Sequence, residues 1–261
     1  MSDYETLIYE TRGPIGLLTL NRPDRVNALS SLMTRELDHF WNARRHDPEV
    51  RVIVFTGAGE KGFCSGLDLN EAREHIFNQD SEIDLDLFYR SQVLLARTIL
   101  AMRQIPQPIV CALFGASMGG GFSLALGADI RLVTPEAWFN AQYINIGLGG
   151  ADVGSSYFLP RLIPAGRAYE FLLTGDAMDA PTAYALGLVS RIVPREQLMD
   201  EAMAMAERMA RKNPLGLRLT KEAINCNLDA AGLEQALNLE DRNQALCFAT
   251  IRYEGQSGQT A

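Results

Sequence analysis

Gly119-Gly120-Gly121 restricts the fold of this chain more than any other feature. The glycines follow a strand-like run, Ile109 to Phe114, and open a helix-like run that reaches Asp129. Adjacent glycines lose much backbone entropy on folding, so a mere tight turn is a weak reason for three of them. Without side chains, the backbone can approach a ligand closely. The first amides of a helix also have no carbonyl partner and can face developing negative charge. The segment is not a phosphate loop of known type. A P-loop needs Lys where Gly121 stands, and the dinucleotide spacing G-x-G-x-x-G is absent from Gly115 onward.

A second glycine loop, Gly62-Phe63-Cys64-Ser65-Gly66-Leu67-Asp68-Leu69, leaves the apolar strand Val50 to Thr56 and enters a charged helix. Two loops that both leave parallel strands can bring two backbone N–H groups to one oxygen. Such an oxyanion hole stabilises an enolate or tetrahedral intermediate by about 3 kcal/mol per donor. Cys64 borders this loop with no base in sight, so it is read as a small loop residue rather than a nucleophile.

The rest of the chain fits an α/β class. Leu7 to Glu10 and Ile15 to Leu20 read as strands, and Ser30 or Ser31 caps a helix running to about Arg45. A helix covers about Ile83 to Arg103, and Pro106 and Pro108 stop it. Ala141 to Pro160 reads mostly as loop. Residues 1–195 are expected to form the α/β core, and 196–261 a helical C-terminal part with little sheet of its own.

A formal net charge of −8 leaves no basic stripe for nucleic acid. No apolar run approaches a membrane span, and the start Met-Ser-Asp-Tyr-Glu-Thr is no signal peptide, so a cytoplasmic location is expected. Cys64, Cys111, Cys226 and Cys247 form no C-x-x-C pair, and His39, His46 and His75 have no ligand spacing, so no metal is expected.

Several ordered motifs carry a resemblance over nearly the whole chain. They are Asn21-Arg22-Pro23-Asp24-Arg25-Val26-Asn27-Ala28-Leu29, then Phe63 to Leu69, then Gly119-Gly120-Gly121 with Ala125 and Asp129. Arg161, Leu172-Leu173-Thr174-Gly175 and Ala185 to Val189 continue it. Together they resemble the enoyl-CoA hydratase/isomerase family, the crotonase superfamily. The resemblance implies a spiral of strand-strand-helix repeats, C-terminal trimerisation helices, and a homotrimer or dimer of trimers. It implies no covalently bound cofactor, with coenzyme A present as part of a thioester substrate, as in fatty acid metabolism. By position, the amides of Leu67 and Gly120 form the oxyanion hole. Arg25, Val26, Ala28 and Ser65 to Leu67 line the coenzyme A site.

The departures from that pattern point to the reaction. Hydratases of the family use two glutamates, and their positions hold Ser123 and Tyr143 here. Neither is a base near neutral pH without an activating partner. Asp152 lies in Gly149-Gly150-Ala151-Asp152-Val153-Gly154 and resembles the proton-moving aspartate in the Ala-Asp-Val-Gly run of dienoyl-CoA isomerases. Here one more residue separates Gly147 from the aspartate than in those isomerases. The plain alternative is an N-cap on a helix beginning near Gly154. Ser123, Tyr143 and His75 are expected at the substrate pocket. Glu71, Glu74, Glu240 and Asp241 are read as solvated helix faces. The polar ending Gln256 to Ala261 replaces the family's basic helix, which implies weaker coenzyme A binding or a substrate without coenzyme A.

The leading expectation is double-bond isomerisation of an acyl-CoA through an enolate, with Asp152 as acid and base. The alternatives are hydrolytic C–C cleavage of a β-diketone or β-keto thioester, weak enoyl-CoA hydration, and non-catalytic acyl-CoA binding.

Overall fold

The computed structural model describes residues 4–76 and 83–251, without the side chains of His75 and Ile76. The expectations for the His75 side chain and for the ending after Ile251 fall outside the described residues.

The strands are β1 (Leu7–Arg12), β2 (Ile15–Leu20), β3 (Val52–Gly57), β4 (Gly62–Cys64), β5 (Ile109–Leu113), β6 (Ala116–Met118), β7 (Ile130–Val133), β8 (Trp138–Asn140), β9 (Met178–Asp179) and β10 (Arg191–Ile192). The helices are α1 (Ser31–Arg44), α2 (Leu69–Ile76), α3 (Leu85–Gln104), α4 (Gly120–Gly127), α5 (Ser155–Leu162), α6 (Ala165–Thr174), α7 (Ala180–Ala185), α8 (Leu198–Ala210), α9 (Pro214–Asn227) and α10 (Leu233–Phe248). The main sheet has the order β1-β2-β3-β5-β7-β10, and a smaller one runs β4-β6-β8-β9. Among the described strands, β1–β2 and β8–β9 are the antiparallel pairs, and the others are parallel. Each turn of the chain places one strand in each sheet and then one or two helices: β3-β4-α2-α3, β5-β6-α4, β7-β8-α5. This is the α/β spiral expected from the motifs.

Burial explains why the main-sheet strands read as unbroken apolar runs. Every residue of β3 and β5 is buried. One face of that sheet packs on Phe40, Trp41, Phe63 and the helices around them. The other meets Leu198, Ala202, Met205 and Ala206 of α8. A parallel sheet covered on both faces needs apolar side chains at every position. Ser30 caps α1 by accepting from the Met33 amide, as its position predicted.

The small sheet is a departure from the sequence reading. β4 lies inside the glycine loop that begins at Gly62, and α5 starts inside the stretch Ala141 to Pro160 read mostly as loop. Strands of two or three residues carry no measurable periodicity. Their pairing comes from the backbone of other turns, as in Gly62↔Ala116 and Ser117↔Phe139.

A buried charge cluster ties α9 to the core. Lys221 Nζ lies 2.9 Å from Asp129 Oδ2 and donates to the carbonyls of Met102 and Gln107. Arg103 pairs with the other Asp129 oxygen at 2.9 Å. Lys221→Ala should destabilise the fold by about 2 kcal/mol, because buried acceptors lose their donor while Asp129 keeps Arg103. A lowered urea midpoint reads the effect; an unchanged midpoint would show that the anchor is dispensable. Elsewhere α9 and α10 expose apolar side chains, among them Ile224, Leu237 and Leu246.

Candidate active site

The turn between β2 and α1 is built on Asn27. Its buried side-chain amide donates to the carbonyls of Ala58 and Phe63 at 2.9 and 3.0 Å, and its oxygen accepts from the Arg22 amide. This clamp holds Val26 and Asn27 at φ of 50° and 53°, a left-handed conformation that asparagine tolerates but that is an outlier for the β-branched Val26. Arg22 spans the turn, bonding the Ala28 carbonyl at 2.6 Å and Asp68 at 2.9 Å. Burial opposes ionisation of Asp68, but Arg22 and nearby amides outweigh it and hold the carboxyl below its usual range. The Ser65 amide donates to the Val26 carbonyl, and its hydroxyl to the Arg25 carbonyl. Arg25, Val26, Ala28 and Ser65 thus gather in one patch, with the Arg25 side chain exposed.

The two glycine loops touch. Leu29 donates to the Gly66 carbonyl at 2.7 Å and accepts from the Asp68 amide at 3.1 Å. These bonds straddle Leu67, so its own N–H points away from Leu29. Gly66 has φ +87°, and a methyl group on it would sit 3.4 Å from the Gly120 nitrogen and 2.7 Å from the Met118 carbonyl oxygen. Gly120 opens α4, so its amide has no carbonyl one turn back within the helix. Gly121 permits the contact from the other side. A methyl there would fall 2.4 Å from the Cys64 carbonyl oxygen. Cys64 is sealed behind this contact. Burial pushes its thiol up to about 12, which agrees with an inert loop residue.

A cavity of about 450 Å³ lies beside Leu67. Leu29, Asp68, Glu71, Gln92 and Leu95 help to line it. Glu71 departs from the solvated face expected for it: its carboxylate accepts from the Ser31 amide at 2.9 Å at the cavity wall. Glu74, Glu240 and Asp241 are exposed, as expected.

Asp152 is not the N-cap of α5. That position is Gly154, and no side chain caps the helix. Instead Asp152 Oδ1 accepts two short hydrogen bonds, from Gln92 Nε2 at 2.6 Å and from the Val153 amide at 2.7 Å. The next residue, Val153, is left-handed at φ 45°, which is strained for a β-branched side chain. Burial raises the Asp152 carboxyl above its ordinary value, and the Val153 and Gln92 amides offset this only in part.

Ser123 and Tyr143 bond each other, hydroxyl to hydroxyl at 2.6 Å. Ser123 is fully buried and Tyr143 nearly so, and neither is among the residues lining the cavity. Burial pushes the Tyr143 phenol well above its usual value, the Ser123 hydrogen bond opposing. The Ser123 hydroxyl also lies 3.4 Å from the Asp152 carbonyl oxygen. The structure brings Ser123, Tyr143 and Asp152 together but leaves Ser123 and Tyr143 buried off the cavity that they were expected to line, and sequence reasoning missed Gln92. A signal was present: Gln92 interrupts the stripe Gln92, Leu95, Ile99, Met102, whose apolar members are buried. Among the described residues no group of His, Cys, Asp and Glu is arranged to hold a metal ion, and no helix is long and apolar enough to cross a membrane.

The spiral fold and the paired glycine loops are features of one family. The enoyl-CoA hydratase/isomerase family model matches residues 10–259, and the chain belongs to that family within the crotonase superfamily. It is 41% identical over 240 residues to "Probable enoyl-CoA hydratase echA12" of Mycobacterium bovis, covering 91% of this chain and 83% of that one. An enoyl-CoA hydratase structure from Bacillus anthracis superimposes with a TM-score of 0.87 at 29% identity, covering 94% and 92% of the two chains. A monofunctional enoyl CoA isomerase from M. smegmatis gives 0.72 at 36% identity, covering 89% and 98%. Relatives thus carry both hydratase and isomerase names.

Proposed function

We propose that this enzyme shifts the double bond of an unsaturated acyl-CoA. The observation that carries the reading is Asp152: a half-buried carboxyl with a raised pKa, one hydrogen bond away through Gln92 from the cavity that Leu67 lines. A base of this kind serves proton abstraction beside a thioester better than an ordinary exposed aspartate. The thioester oxygen sits between the amides of Leu67 and Gly120. The C2–H bond breaks, its proton goes to Asp152, and its electron pair moves onto the thioester as an enolate held by those amides. Asp152, its carboxyl proton exchanging with solvent in between, then delivers a proton to C4, leaving the double bond at C2. The Arg25, Val26, Ala28 and Ser65 patch holds the coenzyme A portion. Ser123 and Tyr143 speak against hydration, because the residues standing where the family's hydratases use glutamates are tied to each other and do not ionise near neutrality. The exposed apolar faces of α9 and α10 support a homotrimer or dimer of trimers.

Incubation with 3-hexenoyl-CoA in deuterated water tests the reading. The expected product is 2-hexenoyl-CoA carrying deuterium, with no added water. Accumulation of a hydroxyacyl product would make it a hydratase. Cleavage of a β-keto thioester in place of any shift would make it a C–C hydrolase. Tight binding without exchange would make it a binder.

A further inference from the structure

We propose that Gln92 is the positioning residue of Asp152, fixing Oδ1 so that Oδ2 is the oxygen that takes and returns the proton. The inference rests on the function proposed above. Two donors converge on one oxygen: the Val153 amide at 2.7 Å, set by the backbone, and Gln92 Nε2 at 2.6 Å, supplied by a side chain of α3. Among the described residues, Oδ2 accepts no hydrogen bond. A carboxylate with one oxygen doubly bonded and the other open has a single reactive oxygen in a fixed plane.

The placement of Gln92 sets it apart from a residue that merely satisfies a buried acid. Its side chain lines the cavity beside Leu67 and at the same time donates to the Asp152 carboxylate. Gln92 therefore touches both the space for the acyl group and the group that acts on it. A leucine at this point of the α3 stripe would pack as its neighbours do, so helix packing alone does not call for an amide.

The surroundings of Asp152 leave Gln92 as the adjustable contact. From the segment after β8, Tyr143 is the titratable group facing it, and its phenol stays neutral through the working range. From α4, Ser123 meets the Asp152 carbonyl rather than the carboxylate. Across the cavity, Asp68 is paired with Arg22 and Glu71 with the Ser31 amide, and on α3 Arg90 is paired with Asp86. The Val153 amide cannot be removed by substitution short of proline, which leaves Gln92 as the side chain that tunes this acid.

The test uses the intact enzyme and 3-hexenoyl-CoA. Gln92→Leu is expected to lower kcat by about tenfold or more through misplacement of the base, with KM within about twofold. The acid limb of its kcat profile should move up by about one pH unit, because a donor that favours the charged form is gone. Gln92→Glu, close in shape, should move that limb further, since a carboxylate beside Asp152 disfavours its ionisation. Should Gln92→Leu fail to fold, Gln92→Glu carries the same reading. A structural role alone leaves the acid limb in place, so unshifted limbs with wild-type kcat would overturn the inference. Asp152→Asn separates the two levels. If it keeps full activity, the function proposed for Asp152 falls and this inference with it. If it is dead while the Gln92 variants behave as wild type, only the role of Gln92 falls.

Discussion

Asp152→Asn should reduce the double-bond shift and deuterium exchange by roughly 10²–10⁴-fold, the range set by loss of a general base. The asparagine oxygen can still accept from Gln92 and Val153, so shape and binding are largely kept. What disappears is the capacity to take a proton. In the parent enzyme the acid limb of kcat should lie above the ordinary carboxylate range, because burial raises the Asp152 pKa and the base acts only when ionised. The stability effect has the opposite sign. The folded-state pKa exceeds the unfolded one, so the charged form is penalised in the fold and stability rises as pH falls through that pKa. Removing the charge relieves the penalty, and the Asn variant should melt no lower than the parent at neutral pH. The difference should shrink on acidification. Mass-spectrometric exchange rates and melting curves across pH measure both effects. Exchange at the parental rate would exclude Asp152 as the base.

Gly66→Ala should be nearly as damaging, by a different route. A methyl group there meets the Met118 carbonyl oxygen at 2.7 Å and the Gly120 nitrogen at 3.4 Å, and the backbone at φ +87° resists any residue but glycine. The Met118 contact is with backbone, so one loop must move from the other. Separating the amides of Leu67 and Gly120 removes one donor from the thioester oxygen, which costs about 10²–10³ in kcat. The left-handed strain adds about 1–2 kcal/mol of lost stability. Steady-state turnover together with a melting curve distinguishes the two contributions. A folded variant with kcat within twofold of the parent would show that these loops do not form the oxyanion site.

The legible parts of this protein were those where burial and period agree. β3 and β5 are buried at every position, and their apolar runs announced them. Ser30 announced the start of α1. The glycine loops were legible because their composition is costly without a close contact, and Gly66 and Gly121 each make one. β4, β6 and β8 were not, since each is three residues long and owes its conformation to partners in other turns of the spiral. Glu71 was misplaced for a related reason. A charged residue on an amphipathic helix is normally solvated, and only the approach of α1 turned it into a wall of the cavity. Asp152 as an N-cap was a sound local reading that the left-handed Val153 defeats, by directing the carboxylate toward α3 instead of α5.

The pairing of β4 with β6 has a consequence for how activity arises during folding. Each strand leads directly into one of the two amide-bearing loops, and they meet only after the chain has passed through α2 and α3. Helices can form locally, but this meeting closes a long loop and is slow on entropic grounds. Catalytic competence is therefore a property of the closed spiral and not of any segment. A chain with most of its helices in place but this short ladder unzipped would retain its spectroscopic signature and have no means of holding an enolate.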